Sequence, residues 1–266
     1  NECALAVGKM TLQPDGDSAD DTLTGSAGND TVNDGTGNDT MSLLGGNDVI
    51  DWRSGHGDDL VDGGAGLDRL LLEGRDGALD IGAFLGHVLL SRNDGSSITM
   101  DGVERIEVQG NFGVPSLTIR DLTGIGIQQV AVDLGNALQK SGNGQTDSIG
   151  INTTEGNDTI GATISKSVMS LTGLASSLTI AHAESGDFLI INSLGGDDVI
   201  NMSKLAATTL GTSPRGGTGN DTLIGSANGD ILFGQEDNDR LTGGRGNDNI
   251  NPGLGDDLVI WNDGDG

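Results

Sequence analysis

Residues 216–260 read GGTGNDTLI GSANGDILF GQEDNDRLT GGRGNDNIN PGLGDDLVI, five consecutive units of nine. Asp221, Asp230, Asp239, Asp248 and Asp257 stand at the sixth position of each unit. Leu223, Leu232, Leu241, Ile250 and Val259 keep the same beat two places later. A period of nine is neither the 3.6 of a helix nor the bare alternation of an isolated strand. It is the mark of a chain that turns, runs briefly extended, and turns again at a fixed interval.

A second block lies nearer the start, from Gly16 to Leu71. Asp21, Asp30, Asp39 and Asp48 are nine apart; an eleven-residue step leads to Asp59, and nine more to Asp68. The apolar beat is Leu23, Val32, Met41, Ile50, Val61 and Leu70. The two additional residues fall in Trp52-Arg53-Ser54-Gly55-His56-Gly57, which reads as a bulged turn because the phase resumes after it.

In each unit the glycines permit backbone angles closed to other residues, so the chain can turn sharply. The triplet around the apolar residue is extended, and its middle side chain points inward. Two units then make one coil, and units two apart stack at about 4.8 Å, the spacing of hydrogen-bonded strands. Aspartates two units apart would face one another and repel. A calcium ion between them converts repulsion into coordination, and because it takes about 6–8 oxygens, turn carbonyls must supply what two carboxylates cannot.

These units resemble the hemolysin-type (RTX, repeats-in-toxin) calcium-binding nonapeptide, G-G-x-G-x-D-x-U-x. The resemblance implies an all-β parallel β-roll or β-solenoid with several Ca²⁺ ions as cofactors. It also implies a site formed by carbonyls at positions 2 and 4 and the Asp of one loop, with carbonyls at positions 1 and 3 and the Asp of the loop two units on. Carried over, Asp221 pairs with Asp239, Asp230 with Asp248, Asp239 with Asp257, Asp21 with Asp39 and Asp30 with Asp48. The implied carbonyl donors are Ser26, Gly28, Gly35, Gly37, Gly45, Gly217, Gly219, Gly234, Glu236, Gly243 and Arg245. The eleven-residue step leaves the pairings Asp39–Asp59 and Asp48–Asp68 open. Asp158 and Asp198 head isolated motifs with no partner two units away, and a metal-binding and a solvated reading are equally open for them.

Four segments follow: a cap strand over 1–15, a first calcium block over 16–71, a calcium-poor β segment over 72–215, and a second block over 216–266. In the third segment the runs Ala83-Phe84-Leu85, His87 to Leu90, Ile98 to Met100, Val103 to Val108, Leu117 to Ile119 and Ile127 to Val132 read as strands between turn signals such as Asn93-Asp94-Gly95. Ile81–Leu85 and Asp133–Leu138 show a weak helical period instead. Asp48-Val49-Ile50-Asp51-Trp52 recurs as Asp257-Leu258-Val259-Ile260-Trp261, which predicts a longer natural chain built of such units.

Composition agrees with a metal-dependent fold. The 266 residues carry a formal charge of −27, 47 glycines, 34% apolar and 2% aromatic side chains. So little apolar area and so much like charge would leave the chain near disorder unless cations neutralise it. About seven filled sites would supply about +14. The acidity argues against nucleic acid or anionic membrane as partners, and no apolar run approaches the roughly 18 residues of a membrane span. Cys3 is the only cysteine, which excludes an internal disulfide.

The three histidines, His56, His87 and His182, form no zinc-protease motif, and no nucleophile-elbow serine occurs, so the chain is not expected to be an enzyme. The expectation is a calcium-folded structural segment of a secreted or cell-surface protein, an adhesin stalk, surface layer or filament, whose partners are calcium ions and further copies of itself. An ice-binding module and an accessory module of a secreted enzyme or toxin are the alternatives. Ice binding would want outward Thr at position 3, where the second block has Thr218 and then Ala227, Glu236, Arg245 and Leu254.

Overall fold

A computed structural model describes residues 2–4, 18–53, 55–73, 78–109, 117–135, 142–207 and 210–261. Among them every regular element is a strand. The first block contributes β1 (Glu2–Ala4), β2 (Thr22–Thr24), β3 (Thr31–Val32), β4 (Thr40–Ser42), β5 (Val49–Trp52), β6 (Asp58–Asp62) and β7 (Arg69–Glu73). The middle holds β8 (Leu79–Phe84), β9 (His87–Arg92), β10 (Ser97–Asp101), β11 (Arg105–Gln109), β12 (Leu117–Ile119), β13 (Gln129–Asp133), β14 (Ser148–Asn152), β15 (Thr159–Ser165), β16 (Val168–Thr172), β17 (Ser177–Ala181), β18 (Phe188–Asn192), β19 (Val199–Asn201) and β20 (Gly211–Gly217). The last block adds β21 (Thr222–Ile224), β22 (Ile231–Glu236), β23 (Arg240–Thr242), β24 (Asn249–Leu254) and β25 (Leu258–Ile260).

Successive strands alternate between two sheets. One has thirteen strands in the order β1-β2-β4-β6-β10-β9-β8-β12-β14-β18-β20-β22-β24, the other twelve, from β3 through β5, β7, β11, β13, β17, β16, β15, β19, β21 and β23 to β25. Within the nonapeptide blocks each strand pairs in parallel with the strand one coil away, Leu23 beside Met41, Leu223 beside Leu241. This is the parallel β-roll expected from the period of nine. The inward residues fill the space between the sheets: Val32, Ile50, Leu70, Ile106, Ile180, Ile200, Leu223, Leu232 and Leu241 are all fully buried. Only one inward side chain in most nonapeptide strands is large, which is how a chain so poor in apolar residues still encloses a continuous core.

The middle departs from the parallel plan twice. β8, β9 and β10 form an antiparallel meander in the first sheet, and β15, β16 and β17 another in the second. The two-residue turns Leu85-Gly86 and Lys166-Ser167 both have positive φ at each residue, as tight hairpins require. Residues 81–84 therefore lie in β8, not in a helix, because Ile81 pairs with Leu90 across the hairpin. Asp133 ends β13, and residues 136–138 of the second weakly helical run lie outside those described. Asn93-Asp94-Gly95 turns between β9 and β10 as expected. Of the cap segment, residues 2–4 form β1 on the open side of β2, and residues 5–17 lie outside those described.

Core packing sets a first test. Leu70 is fully enclosed. In the calcium-saturated chain, Leu70→Ala should cost about 2–5 kcal/mol, read as a lower urea midpoint. A midpoint shift no larger than that of the exposed change Leu85→Ala would contradict the enclosed core.

Candidate metal-binding ladders

Each position-6 aspartate sits at the entry to a strand, where backbone pairing with the next coil begins. Its carbonyl accepts an N–H from the next coil, as in Thr40 to Asp21 and Arg240 to Asp221. In most units its own N–H donates to the carboxylate of the aspartate one coil on. Asp21 N–H reaches Asp39 Oδ1 at 2.7 Å, Asp30 reaches Asp48 at 2.7 Å, Asp221 reaches Asp239 at 2.8 Å, Asp230 reaches Asp248 at 2.9 Å and Asp239 reaches Asp257 at 2.9 Å. The carboxylates are thus pinned in line along the edges of both sheets.

The eleven-residue step does not break the line. Asp39 N–H donates to Asp59 at 2.8 Å and Asp48 N–H to Asp68 at 2.7 Å, twenty residues on in each case. Asp158 and Asp198 also join it: Asp158 N–H reaches Asp198 at 2.6 Å across 40 residues, and Asp198 N–H reaches Asp221 at 2.8 Å across 23. The longer of these separations is one coil plus the β15–β16–β17 meander, so a search at a spacing of two units finds no partner for either.

Sequence reasoning missed several members. Asp147 N–H donates to Asp187 Oδ1 at 2.9 Å, and Thr212 N–H to Asp230 Oδ1 at 2.8 Å, which extends one ladder through the segment expected to be calcium-poor. Asp68 N–H donates to Glu104 at 2.8 Å. A signal existed: Asp147 and Asp187 are separated by 40 residues, as Asp158 and Asp198 are, and both precede alternating strands. Asp34, buried at position 1 of its unit, was also missed.

A second ladder runs beside the first at position 5, exposed and in the opposite sense. Here the side-chain oxygen of the earlier coil accepts from the later one: Asn29 from Asn47 N–H at 2.9 Å, Asn38 from Asp58 N–H at 3.0 Å, Asn157 from Asp197 N–H at 2.9 Å and Asn238 from Asp256 N–H at 2.7 Å. Asp58, Asp197 and Asp256 face solvent.

The turns present their carbonyls in a fixed pattern. Positions 2 and 4 adopt positive φ, at Gly217 and Gly219 but also at Leu44, Leu194, Gln235 and Asp237. The position-4 carbonyls of Gly28 and Gly37 face Gly46 and Gly57 of the next coil so closely that a Cβ there would overlap backbone. The position-1 carbonyls of Gly234 and Gly243 approach the sites of Gly216 and Gly225 in the coil before, where a Cβ would also meet Asp221 Oδ2 and Asp230 Oδ2. The other named donors are placed by backbone pairing. Ser26 O accepts Gly45 N–H at 3.2 Å, Gly217 pairs with Gln235, Glu236 with Leu254, and Gly219 N–H meets Asp237 Oδ2 at 3.0 Å. Gly35 N–H bonds to Asn33 Oδ1 at 3.2 Å, and Arg245 lies exposed in its turn.

Burial leaves charge unsatisfied. Asp39, Asp48, Asp68, Asp198, Asp221 and Asp239 each keep one buried carboxylate oxygen with no hydrogen-bond donor. Desolvation raises the pKa of each, and neighbouring ladder carboxylates add to the effect. Asp68 is pushed up to about 6 and Asp221 to about 7, and in the middle segment Asp147 to about 6. An acceptor-only oxygen, buried and aimed at turn carbonyls with glycine clearance, is suited to a hard cation and to little else.

Comparison with protein-family models finds the RTX calcium-binding nonapeptide repeat in four copies, over residues 15–50, 53–71, 215–241 and 224–259. Over these stretches the chain carries RTX-type calcium-binding repeats. No curated protein matches it. The orphaned oxygens, the facing carbonyls and the glycine clearance all fit calcium. Bound there, the ion would neutralise the carboxylates that the fold has drawn out of water.

The raised pKa values give a pH dependence with a definite sign. The folded chain holds these protons more tightly than the unfolded chain, whose carboxyls titrate near 3.8. Their contribution to metal-free stability is present below that value and is lost as pH rises through about 6 to 7. In EDTA, the β circular-dichroism signal should therefore be greater at about pH 5 than at about pH 7.5. Calcium competes with the same protons, so the calcium midpoint should be higher at the lower pH. Midpoints independent of pH would contradict the assignment of Asp68 and Asp221 to the ion-binding edge.

Proposed function

We propose that the chain is a structural segment of a secreted or cell-surface protein, one that folds on binding calcium and serves as a stiff section of an adhesin stalk, surface layer or extracellular filament. The observation carrying this reading is the pair of pinned carboxylate lines along one continuous two-sheet solenoid. Asp21, Asp30, Asp39, Asp48, Asp59, Asp68, Asp158, Asp198, Asp221, Asp230, Asp239, Asp248 and Asp257 are its proposed metal-binding side chains, concentrated in the blocks 16–71 and 216–266.

The mechanism follows from linkage. Calcium binds the folded ladder and not the unfolded chain, so each ion adds RT ln(1 + [Ca]/Kd) to stability. Without it, like charges a full coil or more apart in sequence are held one strand spacing apart. With it, the same contacts stiffen the coil along its whole length. A chain that stays unfolded at low calcium and folds at high calcium suits passage out of a cell before assembly. Among the described residues no helix is long and apolar enough to cross a membrane.

The position-5 ladder weighs against ice binding. The side-chain oxygens of Asn29, Asn38 and Asn47 are engaged by backbone N–H groups of the next coil and do not form a free lattice-matching surface.

EDTA should remove most of the β signal in circular dichroism at neutral pH, and millimolar calcium should restore it. In calcium, electron microscopy should show rods or filaments. A fold indifferent to EDTA would sink the calcium mechanism, and compact round particles would sink the rod.

A further inference from the structure

The position-1 side chain of a nonapeptide points at its own position-6 carboxylate. Cβ atoms built at Gly25 and Gly63 would lie 2.8 and 2.9 Å from the carboxylates of Asp30 and Asp68, and those at Gly216, Gly234 and Gly243 would collide with Asp221, Asp239 and Asp248. In the unit 34–42 this position is occupied by Asp34. An acid has been set where it must face another acid.

Asp34, Asp39 and Asp59 come together as a result, with one oxygen of each within 4.8 Å of the others. All three residues are buried, Asp34 and Asp39 at 1% exposure. Asp34 Oδ2 and Asp39 Oδ2 are buried with no hydrogen-bond donor. The remaining oxygens are held by donors that fix the carboxylates in place. Asp39 Oδ1 accepts Asp21 N–H at 2.7 Å, Asp59 Oδ1 accepts Asp39 N–H at 2.8 Å, and Asp34 Oδ1 lies 2.5 Å from His56 Nδ1. Trp52 Nε1–H donates to Asp59 Oδ2 at 2.6 Å, and Trp52 is itself enclosed with Arg92 stacked 4.8 Å over its ring.

We infer that Asp34, Asp39 and Asp59 form a three-carboxylate calcium site, different in kind from the carbonyl-rich sites of the other repeats and filled before them. The separation is right, because oxygens about 2.3–2.6 Å from one ion lie up to about 5 Å apart. Three carboxylates leave the filled site at −1, and affinity for calcium rises with ligand charge. The bulged turn acquires a purpose: its two additional residues deliver Trp52 and His56 as the donors that orient Asp59 and Asp34. The site is particular to the first block, since Gly243 stands in the corresponding place of the second.

The inference rests on the calcium reading of the repeats, and the full chain can separate the two. The only other tryptophan is Trp261, so Trp261→Phe leaves Trp52 as the sole sensitiser. Terbium added to that chain should give tryptophan-sensitised luminescence in its tightest phase, displaced by calcium. Adding Asp34→Asn should move that phase to about tenfold higher terbium or more. Full β signal at saturating calcium should be retained. In EDTA the Asp34→Asn chain should be at least as structured as its parent, since a buried repulsion has gone; a purely structural role for Asp34 predicts less structure there. Asp34→Gly, which installs the residue that most of the other nonapeptides carry at this position, should behave alike. An unchanged tight phase in both variants overturns the three-carboxylate site while calcium-driven folding continues. No calcium-driven gain of structure in any chain overturns the repeat reading, and this site with it.

Discussion

The fold depends on one recurring contact, the hydrogen bond from an aspartate N–H to the carboxylate of the next coil's aspartate. It does two things at once. It supplies the backbone donor at the strand entry with an acceptor, where an unpaired N–H would be costly. It also aligns a row of anions at strand spacing, with burial that deprives them of water. The first effect favours the coil; the second opposes it. Asp221 shows both, since it accepts from Asp198 N–H while burial drives its pKa up to about 7. A fold assembled from this contact is conditional on whatever neutralises the row.

The solenoid also has to keep its two sheets in step. Each antiparallel meander inserts two further strands into one sheet only. The β8–β9–β10 meander lengthens the first sheet, and without compensation the coils beyond it would climb by two more strand spacings, about 10 Å. The β15–β16–β17 meander lengthens the second sheet by the same amount. Regular alternation resumes at β18 and β19, and the second nonapeptide block starts from a level base. One meander therefore requires the other. The second block's ladder inherits its alignment from this correction, through Asp158, Asp198 and Asp221.

The period of nine made the β-roll legible, because the glycines, the acid and the inward apolar residue each have one physical role in the turn. The apolar beat from Leu23 to Leu70 and from Leu223 to Leu241 is the core. What escaped notice lay at longer separations. Asp147 and Asp187 lack the glycine two places before the aspartate that marks the nonapeptide, and their link is visible only at 40 residues, a coil interrupted by a hairpin. The strand runs of the middle segment were readable from alternation, but their antiparallel order was not, since alternation fixes the faces of a strand and not its direction. Asp34 was passed over because at position 1 an acid reads as a lapse from glycine, and its direction toward Asp39 is a property of the coil.

The two ladders together explain why Asn and Asp stand side by side at positions 5 and 6. Both residues offer a side-chain oxygen to a backbone N–H one coil away, but in opposite senses along the axis. At position 5 the acceptor is exposed and mostly a neutral carboxamide, as in Asn29, Asn38, Asn157 and Asn238. It can satisfy the backbone with no desolvated charge, so it supports the turn whether or not metal is present. At position 6 the acceptor is buried and charged. An Asn there would satisfy the same N–H without repulsion, and the coil would then need no cation. In the proposed calcium reading, aspartate at the buried position makes stability depend on the ion, and asparagine at the exposed one keeps the turn geometry independent of it. The pairing then separates the part of the turn that holds shape from the part that would sense calcium.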